Sequence, residues 1–174
     1  MGQRLNNIIL IGPMGAGKTT IGRQIARVFD FDFFDSDREI EERTGASIPL
    51  IFELEGEDGF RKREQDIIAD LTKKKQIVLA TGGGAVLRAA NREALKASGT
   101  IVYLCASLDD LMERTSKDKN RPLLQTENPR AKLQSILTER DPIYRQLADI
   151  ILETNKMTVH TAVRKLEELI SAER

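Results

Sequence analysis

The chain has 174 residues, a length that suits a single domain able to bury a core of its own. With 40% hydrophobic and 31% charged residues it reads as globular, and its single cysteine and single histidine exclude a disulfide framework, a multi-cysteine zinc site and most histidine-rich metal sites. The 27 basic and 27 acidic residues cancel to zero formal charge, which speaks against bulk nucleic-acid binding and against attachment to an anionic membrane. No apolar run approaches the ~18 residues of a spanning helix. No long apolar stretch follows Arg4, and Asn6 stands where a myristoylation pattern needs Ser or Thr. These features predict a reduced, cytoplasmic protein.

Short apolar runs alternate with longer helical patterns. Residues 8–11 form a β-branched run ended by glycine, as expected of a strand covered on both faces. Residues 19–29 then place Ile21, Ile25 and Val28 at helical spacing, and 31–34 form a second short strand. A charged helical stretch over 58–73 leads to a strand at 77–80, and a shorter helix to a strand at 101–105. A weaker strand at 150–152 precedes a helix over 159–171. Strands separated by helices predict βαβ units, and hence an α/β fold with a parallel sheet between helical layers.

Between the first strand and first helix stands Gly12-Pro13-Met14-Gly15-Ala16-Gly17-Lys18-Thr19, which fits the phosphate-binding loop G-x-x-x-x-G-K-[ST] in full and in its required context. Its glycines let backbone N–H groups face phosphate oxygens, with the helix N-terminus adding partial positive charge. Lys18 can reach the terminal phosphates, and the Thr19 hydroxyl can ligate Mg²⁺. No Asp-x-x-Gly occurs, and Asn155-Lys156-Met157-Thr158 lacks the aspartate of a guanine reader, so a small-molecule kinase fits better than a GTPase switch.

Asp35-Ser36-Asp37 ends the second strand, and in open parallel sheets ligands bind beyond the carboxyl ends of strands. One carboxylate can hold Mg²⁺ through water while the other accepts a proton from an acceptor hydroxyl. Ser36-Asp37-Arg38-Glu39 also reads as a capping box for the next helix. Gly82-Gly83-Gly84 after the third strand admits close backbone approach, or is a plain turn. On composition alone Arg61, Arg114, Arg121 and Arg140 read as surface cations more readily than as site residues, with Arg140 near a helix C-terminus before Pro142. Residues 116–129 lack hydrophobic periodicity and are a lid candidate. His160 reads as a solvated helix residue, Cys105 as an inert buried thiol, and the phenylalanines of 29–34 as core.

Taken together, Gly12 to Thr19, Asp35-Ser36-Asp37, Gly59-Phe60-Arg61, Thr81-Gly82-Gly83-Gly84, Arg121-Pro122-Leu123-Leu124 and Glu139-Arg140 with Pro142-Ile143-Tyr144 resemble shikimate kinase along essentially the whole chain. The resemblance implies a nucleoside monophosphate kinase-like fold with a five-stranded parallel sheet, an acceptor-binding segment near 35–62 and a lid near 116–129. It implies transfer of the ATP γ-phosphoryl to the 3-hydroxyl of shikimate, with Mg²⁺, by a monomer. Gly15, Ala16, Gly17, Lys18, Thr19 and Thr20 would hold the ATP phosphates, Arg121 would close over them, and Arg114 would pack on adenine beside the 154–157 loop. Thr19, and Asp35 through water, would hold the metal. Asp37 would bond the shikimate hydroxyls and favour the alkoxide, Arg61 and Arg140 would clamp the carboxylate, and the Gly83 backbone would bind a hydroxyl. The alternatives are a kinase for another acidic metabolite such as gluconate, and a non-catalytic nucleotide sensor on the same fold.

Overall fold

A computed structural model describes residues 7–115 and 126–173. In chain order the elements are β1 (Asn7–Ile11), α1 (Lys18–Phe29), β2 (Asp32–Asp35), α2 (Ser36–Thr44), α3 (Ile48–Leu71), β3 (Ile77–Ala80), a short 3₁₀ turn (Ala85–Leu87), α4 (Ala89–Ser98), β4 (Gly99–Cys105), α5 (Leu108–Thr115), α6 (Pro129–Leu147), β5 (Ile150–Glu153) and α7 (Val159–Glu173). The five strands form one sheet in the order β2-β3-β1-β4-β5, all neighbours parallel. This is the three-layer α/β architecture expected from the alternation of elements.

Strands β1 and β3 are buried at every position, which is why they read as unbroken apolar runs rather than as alternating ones. Successive residues serve opposite faces. Ile8 and Leu10 pack with Ile21, Ile25, Leu166 and Ile170 from α1 and α7. Ile9 and Ile11 pack with Ile67, Ile68, Leu71, Leu95 and Tyr144 from α3, α4 and α6. Burying each such side chain stabilises by ~1.5–3 kcal/mol. At the edge, β5 alternates, with Ile150 and Leu152 inward and Ile151 exposed, because only one of its faces is covered.

The chain leaves β1 towards β3 and β2 on one side and later takes up β4 and β5 on the other. The carboxyl end of β1 is therefore a switch point where a crevice opens. Register brings distant residues level there: Leu10 pairs with Ala80, and Ala80 with Asp35. The loops after β1, β2 and β3 thus emerge side by side.

Four local expectations are corrected. Val28 is exposed, so the buried face of α1 rests on Ile21, Gly22, Ile25 and Ala26. The capping box is absent: Asp35 is the N-cap of α2, accepting from the Asp37 and Arg38 N–H groups, while the buried Ser36 hydroxyl accepts from the Gly82 N–H at 3.0 Å. The helix expected over 58–73 begins at Ile48, capped by Ser47, and kinks at Gly56, whose φ of 72° and ψ of −178° suit glycine. Finally, α6 does not stop before Pro142 but runs through it to Leu147. A helix-interior proline costs ~3 kcal/mol, and the burial of Leu133, Ile136 and Tyr144 on this helix offsets it. Of the lone residues, His160 is exposed as read, and Cys105 is half-buried, with burial pushing its thiol up.

Candidate active site

The loop from Gly12 to Gly17 joins the buried β1 to α1. Gly17 caps α1 in the left-handed region (φ 96°) and contributes no side chain to the cap. The N–H groups of the first turn therefore face the crevice without a capping oxygen, a ready anion cradle. Lys18 Nζ folds along this loop and donates to the Gly12 carbonyl and, at 3.1 Å, to the Pro13 carbonyl. The Thr19 hydroxyl donates to Asp35 Oδ2 at 2.8 Å, while Asp35 Oδ1 is occupied by its cap. Capping thus fixes the carboxylate against the Thr19 hydroxyl and sets two hard oxygen donors side by side, which is the chemistry Mg²⁺ takes when phosphates complete its shell. Among the described residues no cluster of three or more His, Cys, Asp or Glu could hold a metal alone.

Two cavities, of about 420 and 400 Å³, meet at this point and share Met14, Thr19, Asp35, Asp37, Gly82 and Gly83 as lining. The first takes in Gly15, Ala16, Gly17, Lys18 and Thr20, and reaches Arg114, Thr154 and Met157. Arg114 spans its mouth, donating to the Gly15 carbonyl at 3.1 Å and the Thr154 carbonyl at 3.5 Å. The second cavity takes in Phe52, Phe60, Arg61, Glu64, Gly84 and Arg140.

Arg61 and Arg140 are 6% and 5% exposed, so the surface reading of these cations is overturned, as is the placement of Arg140 near a helix end. Arg61 pairs with Glu64 at 2.9 Å and Glu57 at 3.4 Å, and stacks over the Phe60 ring. Among the described residues, the Nε atoms of both arginines are buried without a hydrogen-bond partner. A buried cation left under-compensated is costly, and a planar anion entering between the two guanidinium groups would relieve it. The glycine run serves this packing. A Cβ on Gly82 would stand 2.6 Å from Asp37 Oδ1 and 2.9 Å from Glu64 Oε2, and one on Gly84 would overlap the Arg61 guanidinium. Close approach is required as expected, but here by the chain's own side chains. Arg121 and residues 116–125 of the lid candidate lie outside the described residues.

Sequence reasoning missed Glu64. It follows Arg61 by three positions, a spacing that makes a pair on a helix, but nothing local says that the pair is buried. Burial pushes its carboxyl up to about 7 against the pull of Arg61, with Asp37 adding to the rise. A carboxyl raised in the fold stabilises at low pH, and that contribution is lost as pH climbs from the usual carboxylate range through about 7. Between pH 5 and 8 the Glu64→Gln variant should therefore gain on the parent in Tm by about 5 °C. Parallel melting curves check this; a constant offset at every pH would contradict the assigned shift.

A family model for shikimate kinase matches residues 14–171. The shikimate kinase of Methylococcus capsulatus is 60% identical over 160 residues, covering 92% of this chain and 89% of that protein. The chain belongs to the shikimate kinase family. Among solved structures, a shikimate kinase from Acinetobacter baumannii in complex with shikimate superposes with a TM-score of 0.95 at 52% identity, covering 98% of this chain and 95% of that one. The shikimate kinase of Bacteroides thetaiotaomicron does so at 0.87 and 32% identity, covering 96% and 99%. As a member of the shikimate kinase family the chain is an ATP-dependent kinase with the fold of that family, which decides against the gluconate and sensor alternatives.

Proposed function

We propose that this site transfers the γ-phosphoryl group of ATP to the 3-hydroxyl of shikimate, giving shikimate 3-phosphate and ADP. The observation that carries the reading is the pair of cavities joined at Asp37, Thr19 and Gly83, one cradled by the phosphate-binding loop and the other holding two buried arginines. Phosphoryl transfer through a loose transition state needs in-line placement and charge stabilisation more than covalent help, and a shared neck supplies the placement.

In this reading Gly15, Ala16, Gly17 and Thr20 bind ATP phosphates through backbone N–H groups, and Lys18 leaves the Gly12 and Pro13 carbonyls for the phosphates. Thr19 and, through water, Asp35 hold Mg²⁺, which when bound draws charge from the phosphate oxygens. Arg114 packs on the adenine, with Thr154 and Met157 flanking it. Asp37 accepts the proton of the attacking hydroxyl, the Gly83 backbone holds a second hydroxyl, and the Arg61 and Arg140 forks orient the carboxylate. Arg121 is assigned to the transferring phosphoryl from 116–129, with 35–62 as the acceptor-binding segment of one domain. Zero formal charge supports an enzyme acting on small molecules without nucleic-acid or membrane partners; among the described residues no helix is long and apolar enough to cross a membrane. We further propose a cytoplasmic monomer.

The acceptor assignment is tested by Arg61→Lys, which keeps the charge and loses the fork. Losing one charge-assisted hydrogen bond costs about 1.5–3 kcal/mol, so the shikimate KM should rise roughly 10- to 100-fold with the ATP KM nearly unchanged. A shikimate KM equal to the parent's would move the carboxylate elsewhere.

A further inference from the structure

The three consecutive glycines at 82–84 have more backbone freedom than any other residue type, so the loop they form cannot hold one conformation by itself. Two side chains anchor it. The Ser36 hydroxyl takes the Gly82 N–H, and the Tyr144 hydroxyl donates to the Gly83 carbonyl at 2.5 Å. Tyr144 lies fully buried on α6, one turn beyond Arg140, so both side chains lie on the same face of the helix. Burial pushes its hydroxyl up to about 12, while the charge of the Arg140 guanidinium pulls it back. An atom placed on Gly83 as a Cβ would stand 3.5 Å from that same guanidinium.

The ring behind the hydroxyl is braced independently. Tyr103 of β4 packs against it with centroids 4.9 Å apart. Tyr103 itself donates to Asp141 Oδ1 at 2.7 Å, and Asp141 Oδ2 accepts from Arg145 Nε at 2.9 Å. This second network ties α6 to β4 and leaves the Tyr144 hydroxyl on the carbonyl of Gly83, which lines the acceptor cavity.

We propose that Tyr144 is a positioning residue for the acceptor: its hydroxyl, donating to the Gly83 carbonyl from a position one helical turn beyond Arg140, holds the hydroxyl-binding backbone in register with the carboxylate-binding cation. The inference rests on the acceptor assignment above and adds a residue to it. A buried tyrosine needs some hydrogen-bond partner in any case, so stability alone does not separate this role from ordinary packing.

Tyr144→Phe keeps the ring and removes the bridge. Loss of one neutral hydrogen bond should raise the shikimate KM about 10-fold while the ATP KM stays within twofold. Tyr103→Phe removes a hydroxyl of the second network and should cost stability without moving the shikimate KM. Equal shikimate KM values in Tyr144→Phe and the parent, or equal rises in both tyrosine variants, would overturn the proposal. If the parent itself does not phosphorylate shikimate, it is the acceptor assignment that has failed. A second measurement needs no Tyr144 variant, since the chain has only two tyrosines. In the parent labelled with 3-fluorotyrosine, shikimate should shift the fluorine resonance that persists in Tyr103→Phe. A resonance unmoved at saturating shikimate overturns the proposal even if Tyr144→Phe does not fold.

Discussion

Lys18→Met is expected to lower kcat by about 10³-fold while the protein keeps its fold, the loss expected when a preorganised donor is removed from a developing charge. Methionine keeps most of the unbranched lysine stem and removes the bonds to the Gly12 and Pro13 carbonyls, which lie in a loop whose neighbours β1 and α1 are held by packing. The stability loss should stay near 1–2 kcal/mol on that count. Because the ammonium interacts most strongly where charge spreads over the transferring phosphoryl, kcat should fall further than ATP binding. Steady-state kinetics with a melting curve separates the two, and a variant as active as the parent would remove Lys18 from the reaction.

Asp37→Asn is expected to reduce turnover by about 10²-fold or more with shikimate bound normally, since asparagine can still hydrogen-bond the acceptor but cannot take its proton. The structure sharpens the stability expectation. The cap of α2 is Asp35, so Asp37 has no capping bond to lose, and its carboxylate adds to the rise of the buried Glu64. The cap of α2 should therefore survive the substitution, and Glu64 should ionise more readily in the variant. Near-normal turnover would return Asp37 to a purely structural place in the first turn.

Residues whose role is set by local chemistry were legible in the sequence. The phosphate-binding loop, the strand at 77–80 and the order of βα units follow from glycine placement and apolar runs, because these report on backbone freedom and burial directly. What escaped were pairings between elements. Ser36 and Asp35 carry similar capping propensities, and only the approach of Gly82 draws the serine away from the helix end. Pro142 reads as a breaker until α6 is packed on the sheet, where Tyr144 and Ile136 outweigh it. Arg61, Arg140 and Glu64 look like members of solvated faces, since burial of a charge depends on partners brought by α3, α6 and the loop after β3. Composition could not separate a shikimate site from another acidic-metabolite site; the order of the motifs pointed to the family, and the match over residues 14–171 decided it.

The most direct test is ADP release from ATP and Mg²⁺, followed with no acceptor, with shikimate, with its methyl ester and with gluconate. The account predicts release that depends on shikimate, matches the shikimate 3-phosphate formed mole for mole, and falls about 10-fold or more in kcat/KM when the carboxylate is masked as the ester. Release at the same rate without an acceptor, or faster with gluconate than with shikimate, would contradict it.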